Sequence, residues 1–126
     1  MGEQIMTKAE NPVRVSRIEK GFSFSFDVDA DAMEGQKKRS LFGRFEMFCD
    51  EPVEIGGDDS APSPLAYFAA SLAFCTLTQL ARVAEVRKIE LKNVRMKVTP
   101  TFDQVGSIVR DDVLSRVTDV QTVLEI

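Results

Sequence analysis

From Ser60 to Ala81 the chain carries no charged side chain, and this run decides most of what the chain can become. On both sides of it the apolar residues alternate with a period of two. Inside it they recur at helical spacing. Two prolines open the run. Ser63 is suited to cap a helix by accepting a backbone N–H, and Pro64 suits the first helical position, where the missing donor costs nothing. Asp58 and Asp59 stand just upstream, where the helix dipole favours negative charge. The spacing therefore predicts one helix from Pro64 to about Arg87. One stripe of it carries Ala69, Ala73, Leu77, Leu80 and Ala84, small or apolar residues that let a sheet or a second helix come close. By length the run could span a membrane. Tyr67, Ser71, Thr76, Thr78 and Gln79 favour instead the central helix of a soluble fold.

The flanks read as strands. "VRVSRIE" (13–19) alternates. After Gly21, "FSFSFDV" (22–28) puts Phe22, Phe24 and Phe26 on one face, the pattern of a half-buried antiparallel strand. "DADAMEGQKK" reads as a turn or short loop. "RSLFGRFEMFCDEP" (39–52) reads as one further strand, and "VEIGGDDSAP" as a loop with Gly56-Gly57 as a turn. Beyond the helix, "IELKNVRMKVTPTF" (89–102) and "VTDVQTVLEI" (117–126) read as strands. "DQVGSIVRDDVLSR" between them is a loop, or a loop holding one helical turn. Strands, one long helix, then strands is an α+β order: antiparallel sheet wrapped around a long central helix. With 126 residues, the chain fits a single domain spanning 1–126.

Composition excludes several functions. A net charge of −4 and one short basic run, Lys37–Arg39, argue against nucleic acid as a partner. The N-terminal "MGEQIMTKAENP" lacks the apolar core of a signal peptide. With two cysteines, the expectation is a cytoplasmic protein with reduced thiols and no membrane partner. No histidine occurs, so neither a Ser-His-Asp nor a Cys-His catalytic arrangement can be assembled. A metal site would have to come from two thiols and carboxylates, and no cofactor is expected.

That leaves the thiols. Cys75 lies in mid-helix, and the residues three, four and seven away are Phe68, Ser71, Leu72, Thr78, Gln79 and Arg82. Cys75 thus belongs to a wet stripe rather than to the most apolar side. Arg82 is two turns off, roughly 10 Å of helical rise, and a poor direct partner for the thiol. A free cysteine is also a small hydrophobe that packs well, so a reactive and a merely packed Cys75 both remain open. Cys49 shares strand parity with Leu41 and Phe45 and reads as a buried structural thiol.

"APSPLAYFAASLAFC" (61–75) resembles the signature of the OsmC/Ohr family of thiol peroxidases, in which a proline-rich helix start and a run of small residues lead to a cysteine. The order of elements is similar over roughly 42–126. The resemblance implies an intertwined homodimer in which sheets wrap paired central helices. It implies that Cys75 attacks an organic hydroperoxide or another small hydrophobic substrate and becomes a sulfenic acid, which an external thiol restores. It implies an arginine from the strand before the helix to support the thiolate. Arg44 is the candidate, since it shares parity with Phe42 and Phe48 on an otherwise apolar face. The family's C-terminal helix with a second cysteine is expected to be missing, because the chain stops in a strand. Two other readings stay beside the peroxidase. One is a non-catalytic OsmC-like dimeric binding or remnant domain with a structural Cys75. The other is a thioesterase that wraps a sheet around a long helix, which the absence of an acid between Asp59 and Glu85 disfavours.

Overall fold

The structure, a computed structural model, describes residues 13–103 and 116–126. It comprises two compact units, Met1–Pro64 and Leu65–Ile126.

In the first unit β1 (Arg14–Ile18) and β2 (Gly21–Ser25) form an antiparallel hairpin with Ile18 opposite Gly21. Arg14 closes its open end by donating two hydrogen bonds to Asp27, at 2.7 and 3.1 Å. The alternation of phenylalanines is present, but the face they form is open: Phe22 and Phe24 are 65% and 68% exposed. The reason is topological, since β1 and β2 make a two-stranded sheet of their own.

The second sheet is a meander of β3 (Asp29–Ala32), β4 (Lys38–Phe42) and β5 (Phe45–Cys49). Here the structure departs from the sequence reading twice. Asp29–Ala32, expected within a turn, is a strand. It places Asp31 opposite Arg39, and its Asp29 carbonyl accepts a hydrogen bond from Ser40 Oγ at 2.9 Å. The turn is confined to the residues after it, where Gly35 takes a φ of 65° and Met33 N–H donates to the Lys37 carbonyl. The strand expected over 39–52 is in fact a hairpin. Phe42 pairs with Phe45 across a two-residue loop of Gly43 and Arg44. Gly43 has a φ of 56°, which a first loop residue can adopt cheaply only without a Cβ. Leu41, 5% exposed, is the buried hydrophobic residue of this unit among the described residues. Arg39 Nε forms an ion pair with its diagonal neighbour Glu46, at 3.0 Å.

β5 runs directly into a clasped loop. Asp50 is 1% exposed, and its carboxylate receives four hydrogen bonds. Oδ1 accepts from Glu51 N–H at 2.8 Å. Oδ2 accepts from Asp58 N–H at 3.2 Å, from Ser60 N–H at 3.1 Å and from Ser60 Oγ at 2.7 Å. Its own N–H donates to the Pro62 carbonyl at 3.3 Å. Inside the clasp a 3-10 turn (Val53–Ile55) ends on Gly56 at φ 92°. Gly57 packs so tightly that a Cβ there would overlap the carbonyl of Glu51. Outside it, Lys37 forms an ion pair with Asp58 at 3.2 Å.

All but the first residue of α1 (Pro64–Arg87) lies in the second unit, and the helix has the bounds the sequence predicts. The predicted stripe is its covered side: Ala69, Ala73, Leu77 and Leu80 are half-buried and Ala84 is buried. The helix stops at Lys88, which turns left-handed at φ 55°. Lys88 N–H then donates to the Glu85 carbonyl and Ile89 N–H to that of Ala84, the paired bonds of a Schellman end. Asn93 is left-handed as well, with φ 53°, so the strand expected from Ile89 starts only at Arg95. β6 (Arg95–Asp103) pairs with β7 (Arg116–Glu125) in a long antiparallel ribbon, kinked where the register shifts at Thr101/Phe102. Along β6 the half-buried residues alternate as Met96, Val98, Pro100 and Phe102. Phe102 meets Phe68 of α1 edge-on, their ring centroids 6.1 Å apart. The stretch expected to be a loop or single helical turn lies outside the described residues, apart from its two ends. Among the described residues α1 is the helix long and apolar enough to cross a membrane.

Two backbone positions give opposite predictions. Lys88→Gly relieves a left-handed side-chain-bearing residue at a helix end and should stabilise the protein by about 1 kcal/mol. Gly57→Ala forces a methyl into the Glu51 carbonyl and should cost on the order of 1–3 kcal/mol. Urea unfolding checks both; shifts of the same sign in the two variants contradict this account of the loops.

Candidate active site

Cys75 sits near the middle of α1 with its side chain exposed, and it is a free thiol. The polar stripe around it is present, but its hydroxyl hydrogens are already used. Ser71 Oγ donates to the Phe68 carbonyl at 2.7 Å, Thr76 Oγ1 to the Leu72 carbonyl at 2.8 Å and Thr78 Oγ1 to the Phe74 carbonyl at 2.8 Å. Each hydroxyl has one hydrogen, and each spends it on its own helix. Arg82 Nη1 donates to Gln79 Oε1 at 3.1 Å. The helix thus offers the sulfur a polar surround of oxygen lone pairs and no hydroxyl hydrogen. Donor support for a thiolate therefore has to come from N–H groups, those that Gln79 and Arg82 do not spend on their own bond or others from outside the helix.

The sequence candidate for that support is Arg44. It occupies the second position of the Gly43–Arg44 loop, exposed, and not a strand face, so the parity argument for it does not hold. Its guanidinium carbon lies 4.9 Å from the centroid of the Phe45 ring, a cation–π contact that holds the side chain along its own hairpin. Arg44 belongs to the first unit and Cys75 to the second. Cys49, also a free thiol, ends β5 beside Asp50 and opposite Lys38, half-buried rather than buried as its strand parity suggests.

No group of three or more acids and cysteines among the described residues is arranged to hold a metal. A hollow of about 130 Å³ lies on the β6–β7 ribbon between Arg95, Met96, Lys97, Val123 and Glu125. None of these residues belongs to the thiol stripe, and the hollow's cations share it with a carboxylate.

Sequence reasoning missed Asp50. The four donors around it hold its carboxyl far below the usual carboxylate range, the Ser60 hydroxyl foremost. Burial opposes them, and the N–H groups of Ser60, Glu51 and Asp58 reinforce the hydroxyl. The available signal was weak: one acid just before "EP", then a Gly-Gly pair and a serine ten residues on. Its partners are mostly backbone, which leaves no trace in side-chain patterns.

The model of the family described as OsmC-like protein matches residues 57–126. Among solved structures, one from Psychrobacter arcticus 273-4, described as an osmotic stress induced and detoxification response protein, superposes with a TM-score of 0.63. The two are 23% identical over 77% of this chain and 66% of that one, so this chain spans just under two thirds of that protein's length. At that identity the likeness concerns the fold: α+β, with antiparallel sheets and one long helix. No curated protein matches the chain.

The clasp carries a pH signature. Unfolded, Asp50 takes up a proton near pH 3.9; folded, it stays ionised well below that. Its contribution to stability is therefore complete above the unfolded value and drains away as the pH falls from there toward the folded one. Urea midpoints of the wild type should drop between about pH 4 and pH 2. In Asp50→Asn the midpoint should be lower at pH 7 and the acid drop shallower. Parallel pH curves for the two proteins contradict the assignment.

Proposed function

The chain belongs to the OsmC-like protein family, and on that premise we propose that it is a thiol-dependent peroxidase, reducing organic hydroperoxides at Cys75. The observation that carries this reading is a free, exposed thiol in the middle of α1, inside the matched segment. The detoxification response named for the Psychrobacter arcticus protein agrees with it. In the reaction the Cys75 thiolate attacks the terminal oxygen of R–O–O–H. The S–O bond forms as the O–O bond breaks, and the sulfur is oxidised by two electrons to a sulfenic acid. The alkoxide leaves with a proton from water as R–OH. One external thiol then condenses with the sulfenic acid, releasing water and leaving a mixed disulfide. A second thiol frees Cys75 and departs as a disulfide.

Arg44 is proposed as the cation that supports the thiolate, since the helix hydroxyls near Cys75 spend their hydrogens on their own carbonyls and Arg82 lies two turns away. The active protein is proposed to be a cytoplasmic homodimer with residues 1–126 as one OsmC-like domain, meeting neither nucleic acid nor membrane. What favours a second copy is the scarcity of core. Among the described residues only Leu41 and Ala84 are buried hydrophobics, while Phe24, Phe74 and Val86 are 68%, 68% and 80% exposed. One observation favours the second reading, a non-catalytic binding domain: the hydroxyls on the helix around Cys75 give their hydrogens to their own carbonyls.

Mass spectrometry after one equivalent of cumene hydroperoxide should show one added oxygen, or a mixed disulfide when a small thiol is present. It should sit at Cys75 and not at Cys49, and Cys75→Ser should abolish peroxide consumption. Arg44→Met should slow the thiol reaction at least tenfold, the scale of one lost charge partner. An unmodified Cys75, or oxidation first at Cys49, leaves the binding-domain reading standing. Light scattering at micromolar concentration should give twice the chain mass; a clean monomer rules out the dimer.

A further inference from the structure

On the β6–β7 ribbon the register sets four side chains of one face into a square. Arg95 stands opposite Glu125, and Lys97 stands opposite Val123. The two cations are neighbours along β6, two residues or roughly 7 Å apart, and the acid and the valine are neighbours along β7. All four are exposed, and with Met96 they line the hollow of about 130 Å³. The charges of the square are not spent on one another. Among the described residues the side chains of Arg95, Lys97 and Glu125 form no ion pair and no hydrogen bond. Reach is not the reason. Directly opposite residues are the nearest cross-strand neighbours, and in the first unit Arg39 closes an ion pair at 3.0 Å onto Glu46, a more distant diagonal one.

A plain anion in the hollow meets two cations but also Glu125, and a plain amine meets Glu125 but also two cations. A molecule carrying both charges meets each with its opposite. In an α-amino acid the carboxylate would face Arg95 and Lys97 on β6. The ammonium and the side chain leave the same carbon on the other side, where β7 offers Glu125 to the one and Val123 to the other. The hollow has the volume of about four waters at roughly 30 Å³ each, which restricts the side chain to a short one. We propose that this square is a binding site for a small zwitterion, an α-amino acid with a short aliphatic side chain. The site does not involve Cys75 and stands whether or not the protein reduces peroxides. Its ion pairs are open to water, so binding is weak, with a Kd in the millimolar range.

The test is an NMR titration of the full chain with three probes: L-valine, isovalerate, which lacks the ammonium, and isobutylamine, which lacks the carboxylate. Valine should shift the amides of Arg95, Lys97, Val123 and Glu125, and it should bind more tightly than either half-probe. Glu125→Gln should weaken valine about two- to fivefold, the scale of one exposed ion pair, and strengthen isovalerate, because it removes a repulsion. Arg95→Met should weaken valine by a similar factor and strengthen isobutylamine. A general loss of structure would weaken all three probes together, so these opposed changes report the site itself. If a variant fails to fold, the comparison of the three probes on the wild type decides alone. Valine that leaves the ribbon amides unmoved at millimolar concentration, equal affinity for the three probes, or folded variants that bind valine as the wild type does each overturn the site.

Discussion

A carboxylate removed from water costs the protein unless donors replace the water it loses, and at Asp50 four of them do. The rest of the first unit's C-terminal end depends on this exchange. It fixes where β5 stops, forces the chain through the left-handed Gly56 and the Cβ-free Gly57, and returns it to Pro62, two residues before the helix begins. Removing the carboxylate strands three N–H groups and a hydroxyl together, so the loop is held all at once rather than bond by bond.

The helix solves a different problem. A segment without charge must still carry polar side chains if one of its sides stays wet, and Ser71, Thr76 and Thr78 are made compatible with a helix by bonding back to their own carbonyls. That solution has a chemical side effect. The hydroxyls near Cys75 are committed, and what the helix can still offer the thiol is confined to the N–H groups of Gln79 and Arg82.

Period-based features were legible in the sequence. The bounds of α1, its covered stripe and the strand character of β1, β2, β6 and β7 follow from apolar spacing and from proline and serine at a helix start, whereas the pairing of these strands does not. The family was legible from 61–75, because a proline-rich start followed by small residues and a cysteine is rare enough to be informative. Arg44 was misplaced because Gly43 was read as a strand residue; a glycine flanked by phenylalanines continues the alternation on paper and reverses the chain in space. Asp29–Ala32 was missed because its strand character comes from pairing with β4, not from propensity. The openness of Phe22 and Phe24 was invisible for a similar reason, since alternation fixes which face is apolar and says nothing of what covers it.

The clasp also decides how this part of the chain can evolve. Three of the four bonds to Asp50 come from backbone N–H groups, which every residue but proline supplies. Val53, Glu54 and Ile55 at its tip are exposed and bear none of the closure. The loop can therefore change composition freely at its tip and hardly at all in length: one residue inserted between Glu51 and Asp58 shifts three of the four donors out of register with the carboxylate. Drift there should appear as substitutions without gaps, a diversified surface on a connector of constant span.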